Sequence, residues 1–132
     1  VLHGVPPERG TWTDFLSHDP RRNITVIAAP SQKDAKSASL AFNVIETQEW
    51  SGERFSLTRV ALHTGRTHQI RVQVSSRGFP IAGDGKYGAH DRCPMALWSW
   101  RLSFVHPIRK KRLCFTEPPV HTEPWTLFSF DF

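Results

Sequence analysis

The stretch 62–72, written L-H-T-G-R-T-H-Q-I-R-V, constrains this chain more than any other. Residues 55–62 before it read as extended chain, and residues 67–76 after it read as one short helix closed by Gly78. Gly65 is the natural place for a sharp backbone turn between the two, and Thr64 or Thr67 is a candidate cap for the first helical amides. Two arginines, two histidines and a glutamine therefore gather at a helix entrance, a site suited to an anion or an acid.

On a helical wheel Ile70 and Val74 form an apolar stripe, with Arg71 at its margin. A guanidinium there is costly unless a carboxylate or phosphate meets it. Residues 67–77 contain no Asp or Glu. Arg71 is expected to find its partner elsewhere, and Arg66, at the helix start, opposes the helix dipole unless an outside phosphate is bound.

The rest of the chain reads as short strands. Residues 24–28 are β-branched, residues 38–44 alternate, and Trp50-Ser51-Gly52-Glu53 is a turn, so 38–47 and 54–62 are predicted to form an antiparallel hairpin. Residues 97–105 alternate most cleanly, with Trp98, Trp100, Leu102 and Phe104 on one side, read as core and not as a base-stacking platform. Residues 113–115 and 127–130 are further predicted strands. Residues 6–23 read as turn-rich, with at most one helical turn around Trp12, Phe15 and Leu16. Five or six strands and one helix make a single α+β domain on an antiparallel or mixed sheet, spanning residues 1–132.

Charge bears on partners. The formal net charge is +5, which favours a polyanion such as nucleic acid. No apolar run approaches the about 18 to 20 residues of a membrane span. His90, Cys93, His106, Cys114 and His121 lack the close-paired spacing of a zinc site, so no metal is expected. The two cysteines read as buried free thiols in a reducing cytoplasm.

The motif itself closely resembles the L-x-T-G-R-[ST]-H-Q-[IL]-R-V signature of RluA-type RNA pseudouridine synthases. The resemblance continues in register. Residues 78–88, G-F-P-I-A-G-D-G-K-Y-G, are similar to the family's G-x-P-[IL]-x-G-D-x-x-Y-G, and 98–107 to its L-H-A-x-x-L-x-F-x-H-P, with Trp98-Ser99 standing where His-Ala is usual. Residues 38–44 resemble an A-x-[TL]-x-[YF]-x-V strand, and 1–4 the V-x-G that ends an early one.

The resemblance implies an enzyme that isomerises uridine in ribosomal or transfer RNA, in the cytoplasm and without a cofactor. It implies a basic RNA cleft and a target uridine flipped out to meet a catalytic aspartate. Arg71 is then the partner of that aspartate, and Ile70 packs on the target base. Arg66, His68 and Gln69 bind RNA or contact the loop and the sheet. Gly65, Gly83 and Asp84 are structural, with Asp84 capping local amides. The family's H-R-L-D motif, which carries the aspartate, and its base-stacking tyrosine are missing. The six aspartates, Asp14, Asp19, Asp34, Asp84, Asp91 and Asp131, all stand in other contexts. The expectation is the C-terminal portion of a catalytic domain, inactive alone and prone to self-association through an unpaired edge. A non-catalytic RNA-binding module of the same fold is the alternative.

Overall fold

The computed structural model describes residues 1–130. A five-stranded antiparallel sheet forms the body, built from β1 (Leu2–His3), β2 (Arg9–Asp19), β3 (Ile24–Ile27), β4 (Lys36–Trp50) and β5 (Glu53–Leu62). Its strand order is β1-β5-β4-β2-β3. Helix α1 (Gln69–Ser75) lies against it, and β6 (Arg101–Val105) with β7 (Arg112–Thr116) makes a separate two-stranded ribbon. This is the α+β architecture expected. No helix among the described residues is long and apolar enough to cross a membrane.

The β4–β5 hairpin turns at Ser51 and Gly52, with φ of 51° and 79°, the doubly left-handed geometry of a two-residue turn that matches strand twist. Strand β2 overturns the reading of 6–23 as turns and a helical turn. Trp12, Asp14, Leu16 and His18 alternate along it, and two of the four are polar, which hid the two-residue period. The polar pair is satisfied by partners distant in sequence. The Asp14 carboxylate takes Arg77 Nη1 at 2.9 Å and Gln73 Nε2 at 2.7 Å, and His18 Nδ1 lies 2.9 Å from Thr25 Oγ1.

The helix buries Val74 of the apolar stripe, and its buried surface extends beyond the stripe to two glutamines. Its buried residues are Gln69, Val72, Gln73 and Val74, while Ile70 is only partly buried. Val72 packs with Leu16 and Ala38, and Val74 joins the main cluster of Leu2, Phe55, Leu57, Ile81 and Trp125. Two glutamines thus occupy core-facing positions because the sheet offers them hydrogen-bond partners. The helix closes at Gly78 (φ 84°), whose N–H donates to Ser75 O at 2.9 Å.

At the C-terminal end two expectations fail. Residues 127–130 form no strand; Trp125–Leu127 is a single 3₁₀ turn that seats Trp125 and Phe128 in the core. Of the row Trp98, Trp100, Leu102 and Phe104, only Trp100 is half-buried; the other three are exposed (37%, 56% and 41%), so the row is not core. Cys114 is likewise exposed.

Candidate RNA-modification site

The motif loop leaves β5 and is stapled to β4 from within. Gln69, 3% exposed, accepts from Thr64 Oγ1 at 2.8 Å and from the Arg66 amide at 3.0 Å, and its Nε2 donates to Ser39 O at 3.1 Å. Of the RNA, loop and sheet contacts expected of it, Gln69 makes those to the loop and the sheet, which take both its side-chain oxygen and nitrogen. Neither threonine caps the helix. The left-handed residue that makes the turn is His68 (φ 54°), not Gly65, where an added Cβ would meet nothing within 4 Å.

Beyond the loop, Arg71 has a carboxylate in this chain. Its Nε donates to Asp84 Oδ2 at 2.8 Å and its Nη2 to Asp84 Oδ1 at 2.7 Å, the bidentate fork. The Asp84 side chain is 1% exposed and that of Arg71 17%. Asp84 does not cap amides with its side chain; its backbone carbonyl does that, accepting from the Tyr87 and Ala89 amides. Its hydrogen bonding to the Asp84 carboxylate is the main reason the Arg71 guanidinium is held above its usual range, against the pull of burial. Two of its five N–H groups are engaged, so the others are free for a second acceptor.

Sequence reasoning missed Tyr87. The Arg71 guanidinium stacks 4.8 Å from its ring centroid. The Tyr87 hydroxyl accepts the Thr25 amide at 2.9 Å and lies 2.7 Å from His68 Nδ1. Burial first, then the charges of Arg71, Lys86 and His18, push His68 down, so its ring is neutral at pH 7 and Nδ1 accepts the tyrosine proton. The spacing from Asp84 to Tyr87 carried the signal: residues three apart on a tight turn share a side, here bracketing one guanidinium.

The motif residues divide between two hollows. Arg66 and Gly65 line one of about 390 Å³ with His18, Asp34 and Lys36; Arg66 Nε is anchored on Ser37 O at 2.9 Å. Ile70 lines a larger groove of about 790 Å³ between β5 and the ribbon, with Arg59, Trp98, Trp100, Arg101 and Arg112. Among the described residues no acidic side chain lines that groove. Gly83 closes the base of the site. Its φ is 77°, and a Cβ would stand 2.5 Å from the carbonyl oxygens of Cys93 and Pro94, so only glycine fits.

An antiparallel α+β domain with a helix-entrance motif clamped to its sheet, and an arginine beside a cationic groove, defines a class of RNA-modifying domain. The chain belongs to the RNA pseudouridylate synthase family, whose profile matches residues 8–76, just over half its length. It is 35% identical over 122 residues to an RNA pseudouridine synthase of Chloroflexus aurantiacus, covering 89% of this chain and 36% of that protein. It is 30% identical to the ribosomal large subunit pseudouridine synthase D of Neisseria meningitidis, over 98% of this chain and 36% of that one. Human RNA pseudouridylate synthase domain containing 1 superposes with a TM-score of 0.75 at 27% identity, over 91% of this chain and 53% of the human one. The chain spans little more than a third of the length of these curated relatives.

Proposed function

We propose that this chain is the C-terminal portion of a catalytic domain that converts uridine to pseudouridine in ribosomal or transfer RNA in the cytoplasm. The observation that carries this reading is Ile70, a half-buried aliphatic side chain on the wall of a groove lined by Arg101 and Arg112, with no acid among the described residues. That surface suits a flat, uncharged base on a polyanionic backbone. The nucleophilic aspartate comes from a segment outside these residues and takes the free donors of Arg71, which keeps it ionised. Arg71 thus bridges two carboxylates, Asp84 holding the fork in place. With aspartate on the flipped nucleotide, the N1–C1′ bond breaks, the uracil turns, and a C5–C1′ bond forms. C5 then loses its proton and N1 gains one. Arg66 supports the RNA from the smaller hollow, and His68 acts through Tyr87 to hold the Arg71 stack.

Loss of the C5 hydrogen supplies the test. RNA labelled with tritium at uridine C5 releases tritium to water when treated with a longer protein carrying the H-R-L-D motif ahead of this chain. The 132-residue chain alone releases none; release by the chain alone would overturn the assignment of the nucleophile elsewhere. The same reading includes self-association of the isolated chain through an unpaired strand edge.

A second reading, a non-catalytic RNA-binding module, draws on one observation. Asp84 already satisfies the buried charge of Arg71, so the fold does not need an outside carboxylate. RNA binding by the longer protein without tritium release would favour it.

A further inference from the structure

The β6–β7 ribbon ends in a turn that the site described above does not use. Between Asp91 and Glu117 the sequence holds Arg92, Arg101, Arg109, Lys110, Lys111 and Arg112, and no acidic residue. Four of these are consecutive at the ribbon tip, beside Ile108, which is 84% exposed. A run of like charges is ordinarily a solvated, mobile stretch. Here it is held in a fixed shape. The His106 amide donates to Lys111 O at 2.8 Å, and the Lys110 amide to His106 O at 2.9 Å. His106 Nδ1 accepts the Ile108 and Arg109 amides at 3.2 and 3.1 Å, and Lys110 takes the left-handed conformation (φ 53°) that closes the turn.

The two legs of the ribbon are also tied together at its foot. Trp98 Nε1 donates to Glu117 O at 2.9 Å, and the Glu117 amide to Trp100 O at 2.9 Å. Glu117 is the nearest acid in sequence, and five residues of strand at about 3.3 Å each keep it far from the tip. Holding these cations together costs self-repulsion, and among the described residues no acidic side chain pairs with Arg109, Lys110, Lys111 or Arg112.

The cations are continuous with the groove. Val105 pairs with Arg112, and Arg101 with Thr116, so Arg112 and Arg101 follow one another from the tip toward the foot of the ribbon. Arg112 is braced on Ser103 Oγ at 3.2 Å, and both arginines line the groove that holds Ile70. We propose that this ribbon is an RNA-docking arm: Arg109, Lys110 and Lys111 grip the sugar–phosphate backbone flanking the target nucleotide, and Arg112 and Arg101 lead it into the Ile70 groove. The inference rests on the RNA reading above and deepens it by assigning a second, distal contact. Continuity with that groove is what favours RNA over an acidic protein. The contact is with phosphates, so it adds affinity without reading sequence.

The test is binding of the 132-residue chain to a fluorescein-labelled RNA stem-loop with uridines in its loop, across a series of salt concentrations. Replacing Arg109→Ser, Lys110→Asn and Lys111→Ser together is expected to weaken binding about tenfold or more. The slope of log affinity against log salt should fall by about 2 to 3, one step for each lost phosphate contact. The charge-preserving set Arg109→Lys, Lys110→Arg and Lys111→Arg should bind as the parent does. Parent affinity and slope in the neutralised variant would overturn the arm while leaving the RNA reading standing. No binding by the parent chain at low salt would overturn both. Polyglutamate bound as tightly as RNA, and lost in the same variant, would make the tip an acidic-peptide site and overturn the RNA assignment.

Discussion

Arg71 and Asp84 form a two-pronged ion pair, 2.8 and 2.7 Å, with the carboxylate side chain only 1% exposed and Tyr87 stacked on the guanidinium. An arginine whose helix offered it no acid has found one thirteen residues on, across the turn at 81–84. The pair joins the helix to the G-D-x-x-Y-G turn, so the candidate site and the stability of the fold share a residue.

Arg71→Ala should therefore destabilise the chain, not merely silence it. Removing one partner leaves the Asp84 carboxylate buried and unpaired, at a cost of about 3 to 5 kcal/mol. Arg71→Lys keeps the charge without the fork and should cost less. Denaturant unfolding of the three proteins decides; an alanine variant as stable as the parent would remove the pair from the account of the fold.

Gln69 should behave as an interior clamp. Gln69→Ala strips the Arg66 amide of its acceptor, for about 1 to 3 kcal/mol, and frees the motif loop, while the Ser39 carbonyl keeps the His63 and Thr64 amides. Hydrogen exchange at the Arg66 amide is the direct readout. Unchanged protection there would mean that the loop is held by something else.

The two motif glycines should separate sharply. Gly83→Ala places a methyl 2.5 Å from two backbone carbonyl oxygens in a left-handed residue, and is expected to abolish folding or come close to it. Gly65→Ala meets open space without positive φ and should cost under about 1 kcal/mol. Thermal melts of both variants test the contrast. A folded, parent-like Gly83→Ala would contradict the close approach.

Stability should also depend on pH through Asp14 and Asp91, which a series of melts from neutral to acid pH checks. Burial raises each, but Arg77 and Gln73 at Asp14, and the Gly83 amide and His3 at Asp91, outweigh it, so both carboxyls sit below 3.8. The stability they add is complete above that value and lost as pH falls through their lowered ones.

Local signals were legible wherever one chemical tendency dominated a stretch. The β4–β5 hairpin was readable because alternation ran up to a Ser-Gly turn, and the helix end because Gly78 takes the left-handed conformation. Strand β2 was not, because Asp14 and His18 occupy inward positions that look like solvent positions until Arg77, Gln73 and Thr25 are seen to meet them. The helix wheel placed Val74 inside but missed the buried Gln69 and Gln73 for the same reason. Trp98 and Phe104 misled in the other direction, since an alternating apolar row announces a strand but not what covers it.

By itself the sequence settled the family, the α+β class and the place of the motif between strand and helix, because these follow from short-range spacing that survives without neighbours. Only the tertiary structure decided which carboxylate Arg71 holds, that Gln69 turns inward, and that Ile70 and Arg66 face different hollows. Those outcomes depend on hydrogen-bond partners far apart in the chain. A polar side chain is buried or exposed according to whether such a partner is waiting, and spacing along the chain does not carry that information.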